Sequence, residues 1–308
     1  MLSSKTTEKR SLSYVGKRLK ESAVSYIFIM PFMVLFFVFV VLPVVISMFV
    51  SFTSFNILQP PKFIGADNYL RLFLKDSIFL KSIATTFVLA VCTGPVSFIL
   101  SYIMAWMINE MSPKIRAVVT LILYAPSISG NVYLIWTVLF SGDDNGYINA
   151  FLLDSGFVSQ PVQWLNDPRY MMGIVILVAL WSSFGTGFLT FIAGLQGVDR
   201  SFYDASAVDG VKNRWQELWY VTLPLMRPQL LFGAVITIAN SFGIGAITTA
   251  LCGFPSNEYT VHTIMNHLDD YGTVRFEMGY ACAIATILFA IMMIANVAMR
   301  KLIENIGK

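Results

Sequence analysis

The chain has 308 residues, 56% of them hydrophobic and 13% charged, with mean hydropathy +0.68 and formal net charge +3. A soluble domain carries about 25% charged residues, so the composition excludes one and indicates a single polytopic membrane domain. The charge is too small to suggest nucleic acid, and the basic residues cluster at membrane edges rather than in one patch.

Residues 1–24 form a polar tail with Lys5, Lys9, Arg10, Lys17, Arg18 and Lys20. The apolar run that follows far exceeds the roughly 7–15 residues of a secretory signal core. It reads as a retained first span behind a cytoplasmic tail. Stretches without Asp, Glu, Lys or Arg fall at 22–61, 82–109, 117–142, 170–198, 228–257 and 278–299. Each holds the roughly 20 residues that cross a bilayer. Backbone amides in lipid must bond internally, so helices are predicted over 25–51, 82–108, 116–140, 170–195, 225–252 and 277–300. The expected fold class is an all-α polytopic membrane protein with six transmembrane helices. Residues 25–80 would be the first transmembrane helix and an extracellular loop, and 81–303 a five-helix core. Pro31, Pro43, Pro95 and Pro126 predict kinks.

Six spans place both termini on one side. That side carries the six tail cations, Lys114, Arg116, Arg200, Lys212, Arg214, Arg227, Arg300, Lys301 and Lys308, which is fifteen of the 21 lysines and arginines. The positive-inside rule makes it cytoplasmic. None of these charge-free stretches contains an acidic residue, Lys, Arg or His. This weighs against a proton- or sodium-driven carrier, which commonly needs an ionisable group at membrane depth, and excludes a voltage sensor. It also leaves no cation in the spans to meet an anionic solute. No GxxxxGK[ST] phosphate loop is present, so ATP chemistry would have to come from another chain.

Cys92, Cys252 and Cys282 are odd in number and widely spaced, which fits small buried side chains rather than a disulfide framework. Asp143-Asp144-Asn145-Gly146 reads as a turn rather than a calcium loop, whose distant final ligand is missing. His262 and His267 lie near Asp269 and Asp270, but a five-residue spacing does not put both on one helix face. No metal site is expected.

The most patterned polar stretch is "YDASAVDGVKNRWQELWYVTLPL", residues 203–225. Tyr203, Ala207, Val211, Trp215, Leu218 and Thr222 recur at helical spacing. Gly210 interrupts the stripe and would let two short helices meet at an angle. Pro224 suits the first turn of a new helix. The alternative is an amphipathic helix resting on lipid.

Asp204-Ala205-Ser206-Ala207-Val208-Asp209-Gly210, closed by Val221-Thr222-Leu223-Pro224, resembles the "EAA" loop of permease subunits of ABC importers. It departs from that pattern by Asp204 for Glu and Ser206 for the second Ala. "PFMVLFFVFVVLPVVISMFVSFTSF" (31–55), "FIGADNYLRLF" (63–73), "NGYINAFL" (145–152), "FIAGLQGVDRSFYDASAVDG" (191–210) and "MGYACAIATILFAIMMI" (278–294) are similar to the binding-protein-dependent, carbohydrate-uptake branch. "ALCGFP" (250–255) departs from that branch's Thr-x-Gly-Gly-Pro. The resemblance implies a coupling loop over 200–224 that docks on a cytoplasmic ATPase. Asp204, Ala205, Ser206 and Asp209 would belong to the docking knob and Gly210 would make its turn. Trp215 and Leu218 would pack it against the bundle, and Pro224 would close it. It implies as partners a second homologous permease, an ATPase dimer that binds ATP and Mg, an extracellular solute-binding protein, a carbohydrate substrate and membrane lipid. No cofactor and no covalent chemistry are implied in this chain, and no nucleic acid. The implied location is the prokaryotic cell membrane, with both termini cytoplasmic.

Sugars are held by aromatic faces and neutral hydrogen-bonding groups. The expected substrate path is Trp181, Ser182, Ser183, Thr186, Asn240 and Ser241. Asn240 should face the bundle interior, because an amide in lipid is costly; the resemblance implies contacts at Ser182, Ser183, Thr186 and Asn240. The alternative is hydrogen bonding between helices. Transport of glycerol phosphate or another small polar solute remains open, as does a membrane receptor or scaffold.

Overall fold

The computed structural model describes residues 23–130 and 132–304. The expected tail over 1–24 lies outside them apart from its last two residues. The chain is predominantly helical. The first helix, α1 (Val24–Val50), is apolar around its whole circumference and none of its membrane window is buried. Such a helix is made for lipid or for a partner's surface.

A hairpin follows, β1 (Thr53–Asn56) and β2 (Gln59–Phe63), pairing Thr53 with Phe63 and Asn56 with Gln59. The sequence had this region as loop. Pro60 and Pro61 mask the strand signal, yet an exposed edge strand tolerates them. Then come α2 (Asp67–Leu74) and α3 (Ser77–Asn109). α3 has 33 residues, about 50 Å of helix. The expected third span is broken into α4 (Pro113–Ile128) and α5 (Tyr133–Leu139), bent by 85°. After α6 (Tyr147–Asp154), the fourth span is a run over Pro168–Gln196 interrupted between α7 (Pro168–Trp181) and α8 (Thr186–Gln196). The polar stretch forms α9 (Arg200–Val208) and α10 (Arg214–Leu225), and α10 meets α11 (Arg227–Phe242) at 80°. Three helices complete the chain: α12 (Gly245–Cys252), α13 (Ile264–Asp269) and α14 (Met278–Glu304).

Among the described residues four helices are long and apolar enough to cross a membrane, or up to six if each bent pair is one span. The expected single helices over 116–140, 170–195 and 225–252 are therefore corrected to broken ones. Composition marks the apolar length but not where the backbone leaves the helix.

Prolines shape two helices in the same way. π-helical turns at Phe37–Val41 and Leu218–Thr222 each end two residues before a proline, Pro43 and Pro224. Proline offers no amide, and its ring crowds the carbonyl four residues back. A widened turn, closed by Leu42 N–H to Phe37 O and Leu223 N–H to Leu218 O, relieves that crowding. Pro224 consequently lies inside the end of α10 instead of starting the next helix, and the break falls at Met226.

α3, α8 and α11 pack around one centre. Phe191 of α8 meets Phe98 and Tyr102 of α3 edge-on, at 5.4 and 5.5 Å between ring centroids. Cys252 is buried, whereas Cys92 and Cys282 are only half-buried.

The end of the bundle opposite the polar loop is held by a buried hub. Asp76 caps α3, accepting from the Phe79 amide at 2.9 Å. Its other oxygen accepts from the Tyr280 hydroxyl at 2.7 Å and from His267 Nε2 at 3.0 Å. One carboxylate thus ties α3, α13 and α14. Burial alone would raise the Asp76 carboxyl, but the Phe79 amide, Tyr280 and His267 together hold it below the usual range. Burial lowers His267 despite the facing carboxylate, so this contact is a neutral imidazole donating to an anion, not an ion pair. Burial, with His267 beside it, pushes His262 down to about 4. The two histidine rings lie 5.6 Å apart, closer than their spacing suggested. Among the described residues no group of three or more His, Cys, Asp or Glu side chains could hold a metal ion. The Asp143–Gly146 segment is a turn, closed by Gly146 N–H to Asp143 O at 3.0 Å.

Candidate functional site

The helix breaks open a cavity of about 560 Å³ between α3, the α4–α5 junction, the α7–α8 break and α11–α12. α7 ends where Ser182 and Ser183 turn their hydroxyls back onto Val178 O (2.9 Å) and Leu180 O (2.6 Å). Serine competes with the helix ladder in this way, and the chain restarts only at Thr186. Ser182, Ser183, Thr186, Asn240 and Ser241 all line the cavity. The sequence-expected polar path is thus brought into one space, with Asn240 and Thr186 exposed to it.

Trp181 is the exception. It is not among the lining residues, and its ring meets Trp136 of α5 edge-on at 5.3 Å. Its place is corrected from the path to the joint between α7 and α5. An aromatic side chain in a span gives no direction by itself.

Sequence reasoning missed Thr93 and Ser97 on α3, Tyr124, Ser127, Ser129 and Tyr133 around the α4–α5 junction, and Thr237 on α11. A signal existed for some of them. Thr93 and Ser97, like Thr237 and Ser241, are spaced by four, which puts each pair on one helix face.

The hydroxyls share a polarity. Thr93 donates to Leu89 O, Ser97 to Gly94 O, Ser127 to Tyr124 O and Ser241 to Thr237 O, at 2.7, 3.1, 2.8 and 2.8 Å. Ser182 and Ser183 do likewise. A hydroxyl has one proton and two lone pairs. These six spend the proton on their own helices and offer acceptors to the cavity. No described residue lining the cavity is charged.

In the polar stretch, Asp199 caps α9 by accepting from Ser201 N–H at 2.9 Å. Gly210 ends α9 with φ +95°. Val211 N–H bonds Ser206 O at 3.0 Å and Gly210 N–H bonds Ala207 O at 3.3 Å, the paired closure of a Schellman motif. Asn213 then caps α10 through Gln216 N–H at 2.9 Å, while Lys212 N–H bonds the Gln216 side chain at 2.8 Å. Leu218 and Thr222 are buried, and the Tyr203 and Thr222 hydroxyls lie 3.1 Å apart. Asp204, Ala205 and Asp209 are exposed, and Ser206 is buried. Ser206 is the buried residue of α9. Trp215 is 65% exposed and touches the bundle through Trp106 alone among its ring contacts with described residues.

These features define a class: a multi-pass helical membrane component with an uncharged polar cavity and a polar knob formed by α9 and α10. Residues 97–306 match the family model described as "Binding-protein-dependent transport system inner membrane component", and the chain belongs to that family. The probable ABC transporter permease YesP of Bacillus subtilis is 31% identical over 279 residues, covering 89% of this chain and 88% of the relative. The arabinooligosaccharides transport permease AraP of the same organism is 27% identical, covering 92% and 89%. The lactose transport permease LacF of Rhizobium radiobacter is 27% identical, covering 88% and 90%. A solved bacterial alginate ABC transporter, in complex with an alginate pentasaccharide-bound periplasmic protein, superposes with TM-score 0.75 at 23% identity, over 95% of this chain and 98% of that one. That likeness shows the fold. A permease subunit is a non-enzymatic membrane component.

Proposed function

We propose that the chain is a permease subunit of an ABC importer and forms part of the path for an uncharged sugar or oligosaccharide. The observation that carries this reading is the cavity wall of hydroxyl acceptors and Asn240 without a charged group. A sugar presents many hydroxyl donors and no charge, which complements that wall. The printed names of AraP and LacF point to carbohydrates. Glycerol phosphate is set aside: the named relatives favour carbohydrate, and the cavity offers no cation to a phosphate. The alginate transporter is described as importing an acidic polysaccharide, so the fold alone does not fix the charge of the cargo.

In this reading the loop 200–224 docks on an ATPase dimer that supplies ATP and Mg chemistry. A second permease completes the cavity, and a solute-binding protein delivers cargo on the outer side. Both termini are cytoplasmic. Single cysteines at Asn145 and Asn213 are then expected to label from opposite sides of intact cells. Labelling from one side would remove both the topology and the docking role.

The reading itself is tested with the assembled transporter. A neutral oligosaccharide presented by the binding protein is expected to stimulate ATP hydrolysis, and a sugar phosphate is not. Asn240→Leu keeps the volume and removes the amide, and is expected to cut that stimulation about tenfold or more through lost hydrogen bonds. Binding without any turnover would favour a receptor.

A further inference from the structure

We infer that Trp106 and Glu110, at the end of α3 beside the polar loop, are positioning residues that carry loop motion into the cavity wall. This rests on the permease reading and adds to it a second, non-covalent route.

Trp106 and Glu110 are one helical turn apart and share a face of α3. The Trp106 ring lies 5.3 Å from that of Trp215, with 42° between planes. Arg214 Nη2 donates to Glu110 at 2.9 Å, and its Nη1 donates to Glu217 at 2.8 Å. Glu217 thereby holds the guanidinium along α10 while Glu110 takes its other edge. Two consecutive residues in the first turn of α10 grip Trp106 of α3 and Glu110 at its C-cap.

The route along the chain is different. Between α10 and α11 the backbone turns by 80°, and a sharp bend passes rotation on poorly. α3 runs without a break from the grip to the cavity. Ser97 stands nine residues from Trp106, about 13 Å along the axis. Between Thr93 and Ser97 sits Pro95, which leaves one backbone carbonyl of the helix without its amide donor. The most pliable point of α3 therefore lies level with the cavity. A push on Trp106 and Glu110 pivots the lower part of α3 about that point and moves Ser97. The ion pair is water-exposed, with side chains 61% and 46% accessible, so reversing its charges does not threaten the fold.

The test uses the assembled transporter, with Cys92, Cys252 and Cys282 replaced by alanine and Ser97→Cys as reporter. Maleimide labelling is compared without nucleotide and after trapping with MgATP and vanadate. The otherwise unaltered complex is expected to show a nucleotide-dependent change in labelling rate. Glu110→Arg and Trp106→Ala should each shrink that change about fivefold or more, with the ATPase still co-purifying at matched membrane abundance. Glu110→Arg combined with Arg214→Glu should restore it. A merely fastening contact would leave the change intact or lose the ATPase. An undiminished response in the single variants overturns the inference. So does loss of the response without rescue by the exchanged pair. No response in the reporter complex, or no bound ATPase, overturns the permease reading, and this inference with it.

Discussion

Gly210→Pro is expected to release the ATPase and reduce uptake to background, while the chain still accumulates in the membrane. Gly210 sits at φ +95°, whereas proline is locked near −65°. Proline also lacks the amide that closes on Ala207 O at 3.3 Å. The Schellman closure then fails, and α9 and α10 lose their mutual angle. Gly210→Ala separates shape from bulk. An added Cβ meets nothing within 4 Å, so only the backbone strain remains, about 1–2 kcal/mol. Uptake should fall partially. The core helices pack without this turn, so thermal unfolding should shift little in either variant. Co-purification of the ATPase, with uptake, decides the matter. Full retention and normal uptake with proline would show that the turn is no docking element.

Asp76→Ala is expected to be strongly destabilising, by about 3 kcal/mol, from a lost N-cap and unsatisfied buried donors. It strips the N-cap of α3 and leaves the Tyr280 hydroxyl and His267 Nε2–H buried without their acceptor. Thermal unfolding in detergent, followed by a thiol-reactive dye, reads this directly. The same hub sets an acid sensitivity whose sign follows from linkage. Folded His262 and His267 titrate below the ordinary value near 6.5. The unfolded chain therefore binds more protons, and stability falls as pH drops below about 6.5, for His262 down to about 4. Asp76 is also lowered, so its contribution is present above the unfolded value near 3.9 and is lost as pH falls through the folded one. All three act in one direction. His262→Phe should flatten the slope between about pH 4 and 6.5; an unchanged slope would exclude burial of that imidazole as its cause.

Much of this was legible in the residues. Charge-free lengths located the apolar helices, because a bilayer penalises charge more strongly than it prefers any one apolar side chain. Gly210 was legible because the pattern around it could not continue as one helix. Ser182, Ser183, Thr186, Asn240 and Ser241 were legible as polar groups in costly places. The breaks in the helices were not, since a serine that turns its hydroxyl onto Leu180 O reads like any serine facing lipid. Nor was the hub, whose members lie 191 and 204 positions apart. No local period links such residues. The hairpin was hidden by two prolines that only its edge position permits.

The orientation of the cavity hydroxyls has a consequence for what such a wall can tell apart. Six of the lining hydroxyls accept, which favours solutes rich in hydroxyl donors, while the Asn240 amide and the remaining lining hydroxyls can donate. Under the proposed sugar path, an O-methyl ether, which keeps the oxygen but loses the proton and adds a methyl group, is expected to be accepted less well. Discrimination of this kind favours polyols over their capped derivatives. Under the same path, finer choice between sugars would fall to Asn240, whose amide both gives and receives.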